Sequence, residues 1–417
     1  MIGRLGTLLV AVCAMVSLGA AGTAKPPAEP ATLWHGGTII TMEGNKPATV
    51  QAVVERGGKI VFAGSLAKAR KLAGPSATDR DLKGQTMLPG FIDAHSHFSM
   101  LMQIETGVDL DAGDAPPRDI PALIAQLRQG VAAKGIGEAE WIIGWNYKDE
   151  PLAEKRHVTR DDLDAAFPGR KVVLIHFTGH GLVASSAALA AAGVKDDTPN
   201  PPGGLFLRDG KGRVNGVVFE AALMPFYQAL PRPTAVQMLG ALDATQLGYA
   251  SRGYTHAQDG ATQIGEMKFL LSPAARERMK IDLAILPSFG GLDALLAMPD
   301  LKFGQYQGHT KLQGVKFVLD GSPQARTAYF TRDYAKGSPE GHHPWHGQPI
   351  VSQEEFNKQA RLVHERGWQL FVHANGDAAI DMAIKGFDAL GIKAADNRRP
   401  VVIHSQFQRP DHLPAYA

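Results

Sequence analysis

The sequence predicts an α/β protein built around a (β/α)8 barrel of the TIM type, preceded by a smaller β-rich region. From Thr86 onward, short β-branched runs alternate with helical stretches, which is typical of parallel βα units. Several of these runs recur at intervals near the ~30 residues that one unit of such a barrel occupies. Residues 33–65 instead indicate small antiparallel strands, broken at Gly-Asn-Lys-Pro and Arg-Gly-Gly.

The first residues are typical of a secretory signal peptide. Arg4 supplies a positive charge, Leu5 to Ala21 carry none, and small residues surround a cleavage point after Ala24. The alternative is an uncleaved membrane anchor, although ~17 residues is the lower limit for a spanning helix. We therefore predict a signal peptide over 1–24, export to the periplasm, and no stable membrane association after cleavage.

Composition restricts the partners and the ligands. The 43 basic and 41 acidic residues leave a formal net charge of +2 without a basic stripe, which argues against nucleic acid as a partner. The single cysteine, Cys13, lies inside the predicted signal peptide, so the mature chain would have no disulfide. A metal site would then use nitrogen and oxygen ligands, and the expected partner is a small-molecule substrate.

Six runs qualify as barrel strands, the first within residues 86–98 and the others within residues 253–417. Residues 99–252 are far longer than one βα unit, so we expect them to form an insertion over the barrel mouth. Few residues follow His404, and we therefore expect the last two strands to be missing from this chain. The predicted strands are Met87–His97, Gly253–Asp259, Lys280–Pro287, Gly314–Asp320, Gln369–Ala374 and Pro400–Ser405.

Histidines end three of these strands. His95 and His97 lie two residues apart, so on a strand both imidazoles point to one face. His373 ends the fifth run and His404 the sixth. The carboxyl ends of barrel strands form the active face, and neutral imidazole is a common zinc ligand. One such histidine is more often a hydrogen-bonded structural residue, but three strands ending in histidine predict a metal site.

Lys316 lies among apolar residues on the fourth run, where a charged amine is costly unless it is paired or neutralised. One interpretation is a salt bridge to Asp320 or another nearby carboxylate. The other is covalent, because a buried, deprotonated lysine amine can add carbon dioxide and form a carbamate that bridges two metal ions. The residues alone favour the salt bridge.

Four motifs together resemble the amidohydrolase superfamily: LPGFIDAHSH, GVKFVLDGSPQARTA, FVHANGDAAI and VVIHSQ. The resemblance is closest to its YtcJ-like branch, also called amidohydrolase family 3. Segments such as WIIGWNYKDE and FTGHGLVASSAALAAAGV follow the order of that branch. The resemblance extends from about Leu33 to the last residues. It implies a metal-dependent hydrolase barrel and a small β-sandwich domain, with residues 25–85 as the N-terminal part of that domain.

The resemblance also implies a role for each strand-end residue. The site would hold one or two divalent metal ions, with zinc expected, and Lys316 would be carboxylated so that its carbamate can bridge two of them. The strand pattern itself, and not the resemblance, places Asp93 on the same face as His95 and His97, where it would support the ligands. The general-base aspartate that the family carries on strand eight has no counterpart in this sequence. The remaining metal ligands would be His95, His97, His373 and His404.

Five further residues are candidates for substrate contacts. For Trp145, Asn146 and His180, the alternative is a role in folding the insertion. Arg326 could hold a substrate oxygen, or it could brace its own loop through an ion pair. Glu220 could replace the carbamate as a bridging carboxylate, or it could be a substrate-pocket or structural acid.

The implied activity is hydrolysis of an amide, formamide or cyclic-amide C–N bond of a small molecule by a metal-activated water. Two alternatives remain open. One is a truncated remnant or binding protein, weakly active or inactive without the strand-eight aspartate, since general acid–base groups contribute about 10²–10⁴-fold. The other is a dipeptidase or deacetylase of the same superfamily.

Overall fold

The chain divides into two compact units, Met1–Pro89 and Gly90–Ala417. We predicted the boundary after residue 85, but it lies after Pro89. The difference arises because the strand Thr86–Met87 pairs with the N-terminal sheet. The predicted signal peptide falls outside the described residues. The structure is a computed structural model that describes residues 29–112, 115–179, 181–201, 204–324, 326–338 and 342–416, without the side chains of residues 220 and 221.

The first unit is a five-stranded sheet with one helix. Its elements are β1 (Ala31–Thr41), β2 (Ala48–Arg56), β3 (Lys59–Gly64), α1 (Leu66–Ala73), β4 (Thr78–Asp81) and β5 (Thr86–Met87). The order is β3-β2-β1-β4, and β5 also pairs with β1. The antiparallel pairing predicted for the first three strands is confirmed. Leu33 and Val54 of the sheet form a small core with Ala69 and Ala73 of the helix.

The second unit begins with a strand much shorter than the predicted Met87–His97. Only β6 (Phe91–Ile92) is a strand, and it pairs in parallel with the strand that contains Tyr254 and His256. The helix α2 (Phe98–Thr106) begins soon afterwards. The intervening residues form a turn held by backbone hydrogen bonds, from Asp93 N to His256 O and from Gly260 N to Ser96 O. The extent predicted for this strand was therefore wrong.

The insertion forms a sheet of its own. Its elements are β7 (Val108–Asp109), α3 (Ile120–Lys134), β8 (Ile142–Tyr147), α4 (Arg160–Ala166), β9 (Val172–His176), β10 (Gly181–Ala184), α5 (Ser186–Ala191), β11 (Gly204–Arg208), β12 (Val214–Glu220) and α6 (Met224–Ala229). The strand order is β11-β12-β10-β9-β8-β7, with β7, β8 and β9 parallel. Leu127, Leu174 and Val217 belong to a core that is separate from the core of the parallel strands described next.

The remaining elements alternate strands and helices, as the sequence predicts. They are α7 (Ala235–Ala250), β13 (Tyr254–Thr262), α8 (Ile264–Leu270), α9 (Pro273–Arg278), β14 (Asp282–Pro287), α10 (Leu292–Leu296), β15 (Tyr306–Gln307), β16 (Thr310–Leu312), β17 (Gly314–Val318), α11 (Gln353–Glu365), β18 (Gln369–Ala374), α12 (Asp377–Ala389) and β19 (Val401–His404). Two parallel sets, β6-β13-β14 and β17-β18-β19, are linked by a parallel bridge between Ser288 and Lys316. The α/β class is confirmed.

One large apolar cluster joins these strands to their helices. Met102 of α2 and Leu242 of α7 lie in it beside Leu283 and Val372 of the strands. The predicted insertion 99–252 contains α7 and all of α2 except its first residue. The insertion proper is therefore shorter than predicted, because its ends pack with the parallel strands. In the part of the chain that the structure describes, no helix has the length and apolarity needed to cross a membrane.

Candidate metal centre

Four histidines and one lysine meet at the carboxyl ends of the parallel strands. The ring centroids of His95 and His97 are 5.3 Å apart, those of His95 and His404 5.2 Å, and those of His404 and His373 4.7 Å. The Nζ atom of Lys316 lies 3.4 Å from Nε2 of His95. The structure thus brings together all five residues that the resemblance implies as ligands.

Strand register explains why these side chains share one face. Lys316 pairs with Phe371, and His373 pairs with Ile403. Paired residues of neighbouring strands project to the same side of a sheet. Leu286, Phe371 and Ile403 form a small apolar cluster of their own on this face. Lys316 and His373 therefore lie on the same side of the sheet as this apolar cluster, and on the opposite side from the helix-covered core.

His404 reaches the same group through a left-handed backbone conformation. It pairs with Ala374, whose side chain is part of the helix-covered core, so regular alternation would place His404 on the opposite face. The φ angles of His404 and Ser405 are 69° and 46°, a conformation that costs non-glycine residues about 1–3 kcal/mol. Its ring nevertheless lies beside His373, and strain of this kind is typical of functional sites.

Each imidazole of the His95/His97 pair has one nitrogen already engaged. Oε1 of Gln258 lies 2.8 Å from Nδ1 of His95, and the carbonyl oxygen of Gly260 lies 2.5 Å from Nδ1 of His97. A carbonyl oxygen only accepts, so His97 carries its proton on Nδ1 and keeps a lone pair on Nε2. Metal-ligating histidines are commonly held in this way.

Asp320 organises the loop that carries His373. Its fully buried carboxylate accepts backbone hydrogen bonds from Asn375 at 2.9 Å, Gly376 at 2.8 Å and Tyr329 at 3.0 Å. One of its oxygens also lies 3.4 Å from Nε2 of His373. Asp320 is thus committed to this loop, and the salt bridge to Lys316 that the sequence left open is not formed within the described residues.

Burial and nearby charges lower the pKa values of three of the clustered imidazoles. Burial lowers the pKa of His95 and of His97, and the nearby charge of Lys316 adds to the effect. Burial, followed by the charges of His373 and Lys316, lowers the pKa of His404 to about 4. Burial also lowers the pKa of Lys316 to about 8. At neutral pH these three imidazoles are therefore neutral, which is the form that binds metal ions.

The donor set fits a divalent metal ion by its chemistry. Neutral imidazole nitrogens, together with a lysine whose amine is easily deprotonated, belong to the nitrogen and oxygen donors that zinc and related ions accept. Across the described ranges, no group of three or more His, Cys, Asp or Glu side chains is arranged to hold an ion as it stands.

Two residues of β13 support the turn that carries His95 and His97, and the sequence analysis missed both. Asp259 is fully buried and accepts hydrogen bonds from the Ser99 backbone at 2.9 Å and from the Thr262 hydroxyl at 2.8 Å. Burial raises the pKa of Asp259 to about 6. Gln258 holds His95, and strand alternation along β13 is the signal that could have identified its inward face.

Asp93 supports the backbone of the turn rather than an imidazole. Its carboxylate lies 3.3 Å from the backbone nitrogen of His95. It therefore shapes the turn, while the contacts to the imidazole Nδ1 atoms come from β13.

Two of the predicted substrate contacts, Trp145 and Asn146, lie at the end of β8 in the insertion. The Asn146 side chain donates to Asp109 Oδ1 at 2.9 Å, and its φ of 61° is left-handed. The indole nitrogen of Trp145 is buried and has no hydrogen-bond partner among the residues described. His180, the third candidate of the insertion, lies outside the described residues.

Arg326 braces its own loop. Its guanidinium donates to the Lys336 carbonyl at 3.0 Å, and its own carbonyl accepts from the Trp345 indole at 2.7 Å. This contact agrees with the bracing alternative. The side chain of Glu220, the substitute carboxylate considered from the sequence, is outside the described part of the structure.

The fold and the site together define a class: an α/β protein in which four histidines and a buried lysine meet at the ends of parallel strands. Residues 80–417 match the profile of the amidohydrolase family. The chain belongs to this family of hydrolases of amide-type bonds, and the assignment made from the sequence motifs is confirmed.

Two relatives agree with this assignment. The chain is 27% identical over 383 residues to the amidohydrolase YtcJ of Bacillus subtilis (strain 168), covering 90% of this chain and 68% of that protein. It is 27% identical over 348 residues to the N-substituted formamide deformylase of Arthrobacter pascens, covering 82% of this chain and 62% of that protein.

Two archaeal structures share the fold. An uncharacterized metal-dependent hydrolase from Pyrococcus horikoshii OT3 superposes with a TM-score of 0.72 at 24% identity, over 92% of this chain and 72% of its own. One from Pyrococcus furiosus gives a TM-score of 0.71 at 23% identity, over 92% and 74% of the two chains.

Proposed function

We propose that this protein hydrolyses a non-peptide C–N bond, in an amide, a formamide or a cyclic amide of a small molecule, with the help of bound divalent metal. The observation that carries the proposal is the convergence of four imidazoles with ring centroids 4.7–5.3 Å apart, beside a buried lysine amine. Membership of the amidohydrolase family supports the reaction class. One relative is an N-substituted formamide deformylase, which makes formamides the first substrates to test.

The roles of the residues follow from their donor atoms. His95, His97, His373 and His404 would hold one or two divalent ions, with zinc favoured by the imidazole donors. When bound, the metal supplies Lewis acidity that polarises the substrate carbonyl and activates a water molecule. The lowered pKa values of three of these histidines keep their lone pairs available at neutral pH.

Lys316 is our candidate for a carbamate that bridges the metal ions. Its side chain is 2% exposed, and its pKa of about 8 leaves a larger fraction of free amine than an ordinary lysine has. The free amine is the form that attacks carbon dioxide, so the environment suits carboxylation. Native mass spectrometry in bicarbonate buffer should show one added CO₂ in the wild type and none in Lys316→Met. A wild-type mass without this addition contradicts the carbamate.

Metal content tests the centre directly. We expect His95→Ala and His373→Ala to lose most of the zinc found by elemental analysis of purified wild-type protein. His309→Ala is the matched control, because His309 bonds to Asp282 at the other end of the parallel strands. The proposed centre is refuted if both variants retain the full metal content of the control.

The substrate class is tested on the metal-loaded protein. We expect turnover of N-substituted formamides, simple amides or cyclic amides that is lost in the His95 and His373 variants. Assays against N-acyl amino acids and dipeptides are run in parallel, because activity confined to these would assign the chain to the deacetylases or dipeptidases.

The surrounding architecture and the location of the protein complete the proposal. We propose that the six parallel strands are part of a (β/α)8 barrel, that the N-terminal sheet is part of a β-sandwich, and that the insertion covers the barrel mouth. Export through cleavage after Ala24 is also proposed, and N-terminal sequencing of protein from the periplasmic fraction tests it.

A further inference from the structure

We infer that Gln258 is a positioning residue that selects the metal-binding tautomer of His95. The inference rests on the proposed function to the extent that His95 is a metal ligand. It concerns the residue behind the ligand, whose amide oxygen decides which imidazole nitrogen carries the proton.

Gln258 holds the His95 turn from two sides. Its side-chain Oε1 lies 2.8 Å from His95 Nδ1, and its backbone carbonyl accepts from the Ser96 hydroxyl at 2.8 Å. The Ser96 hydroxyl in turn accepts from the Tyr249 hydroxyl at 2.8 Å. Gln258 is only 9% exposed, so its amide has little access to competing water. Gln258 therefore joins the turn that carries His95 to β13 through both its side chain and its backbone.

The strand is also shaped to receive the ring of His95. A Cβ atom at Gly260 would lie 2.7 Å from Cε1 of His95, which is closer than side-chain contacts allow. The absence of a side chain there lets the imidazole approach β13 closely enough for its Nδ1 atom to reach the Gln258 amide. Close approach of this kind is a common reason for glycine within a strand.

Two independent contacts point to the same tautomer. If Oε1 of Gln258 accepts, Nδ1 of His95 must carry the proton. On the other side of the ring, Nε2 lies 3.4 Å from Nζ of Lys316, and a lysine ammonium has donors but no acceptor. Nε2 must then be the acceptor and hold the lone pair. The pair of contacts leaves Nε2 facing Lys316, with a lone pair available to a metal ion.

His95 is held by a side-chain oxygen, and His97 by a backbone oxygen, so only the first contact can be removed by substitution. His97 is held by the carbonyl of Gly260, which no substitution removes, whereas His95 is held by an amide that a single change deletes. Loss of such an outer contact typically weakens metal binding 10–100-fold. Gln258 therefore sets the affinity of the His95 half of the site.

The experiment compares Gln258→Met, which removes the acceptor at similar length, with Gln258→Glu, which keeps one. Gln246→Met is the matched control, since Gln246 is also buried and bonds to the backbone of Arg278 and Lys280 outside the histidine cluster. Zinc affinity is measured by competition with a chelator. We expect Gln258→Met to bind zinc 10–100-fold more weakly, and Gln258→Glu and Gln246→Met to bind at least as tightly as wild type.

Histidine-¹⁵N NMR of the metal-free protein gives a second readout that does not depend on metal. We expect His95 to carry its proton on Nδ1 in the wild type and in Gln258→Glu, and to show a tautomer mixture in Gln258→Met. A wild-type His95 protonated on Nε2 overturns the inference, and so does Gln258→Met with wild-type zinc affinity while His95→Ala binds weakly. If His95→Ala itself binds zinc normally, the proposed metal role of His95 fails, and the NMR result alone decides the role of Gln258.

Discussion

Replacing Lys316 by methionine should make the metal-free protein more stable at neutral pH. Lys316 is 2% exposed, and burial lowers its pKa from 10.5 to about 8. At ~1.4 kcal/mol per pKa unit, the charged amine costs the folded state about 3 kcal/mol. Methionine fills a similar volume without a charge, but it loses the hydrogen bond to His95, worth about 1 kcal/mol. We therefore expect a net gain of about 2 kcal/mol.

The pH dependence of this gain is a stringent check. Between pH 8 and 10.5 the unfolded chain binds more protons than the folded chain, so the stability of the wild type rises with pH in this interval. The advantage of Lys316→Met should be complete below pH 8 and absent near pH 10.5.

The assay is urea denaturation followed by circular dichroism, with chelator and in CO₂-free buffer so that the lysine stays unmodified. Lys268→Met, at an exposed position, is the control and should leave the free energy of unfolding nearly unchanged. The reasoning is refuted if Lys316→Met is less stable than wild type at pH 7, or if the difference between them does not change with pH.

Three further predictions concern the supports around the site and the insertion. Burial raises the pKa of Asp162, but hydrogen bonds from Arg156 and from Thr159 at the helix N-terminus outweigh it and leave the pKa below the ordinary 3.8. The wild type should therefore lose stability as the pH falls below 3.8, and Asp162→Asn should lose less. Acid titration followed by circular dichroism measures both. Gly376→Ala should lower the melting temperature and the metal content together, because its Cβ would lie 2.0 Å from the Tyr329 carbonyl oxygen; unchanged values would show that the loop yields. Leu127→Ala should lower the free energy of unfolding by about 2–5 kcal/mol when the whole protein is denatured chemically, because Leu127 lies in the core of the insertion. A decrease under ~1 kcal/mol would mean that this core collapses around the cavity.

The ligand set could be predicted from the sequence because each ligand has a local signature. A histidine or lysine at the end of an apolar run is visible without knowledge of its partners, and four such motifs in order were enough for the family. The extent of the first strand could not be predicted in the same way. Thr86–Met87 and Phe91–Ile92 read as one run, yet they pair with different sheets.

The contacts between ligands and their supports were also beyond the sequence. Lys316 and Asp320 lie four residues apart and suggested an ion pair, but Asp320 instead binds the loop after β18. Strand alternation could indicate which face Gln258 occupies, but not that it would hold His95, because the two residues meet only when β13 pairs beside β6.

The sequence by itself determined the chemical identity of the donors and the family of the chain, because both are written in short runs of residues. Only the tertiary structure decided which nitrogen of His95 faces the centre, what Lys316 contacts, and how His404 joins the other rings through a left-handed turn. The physical reason is that tautomers, hydrogen-bond partners and strand register depend on neighbours far away in the chain, which come together only when the strands pair.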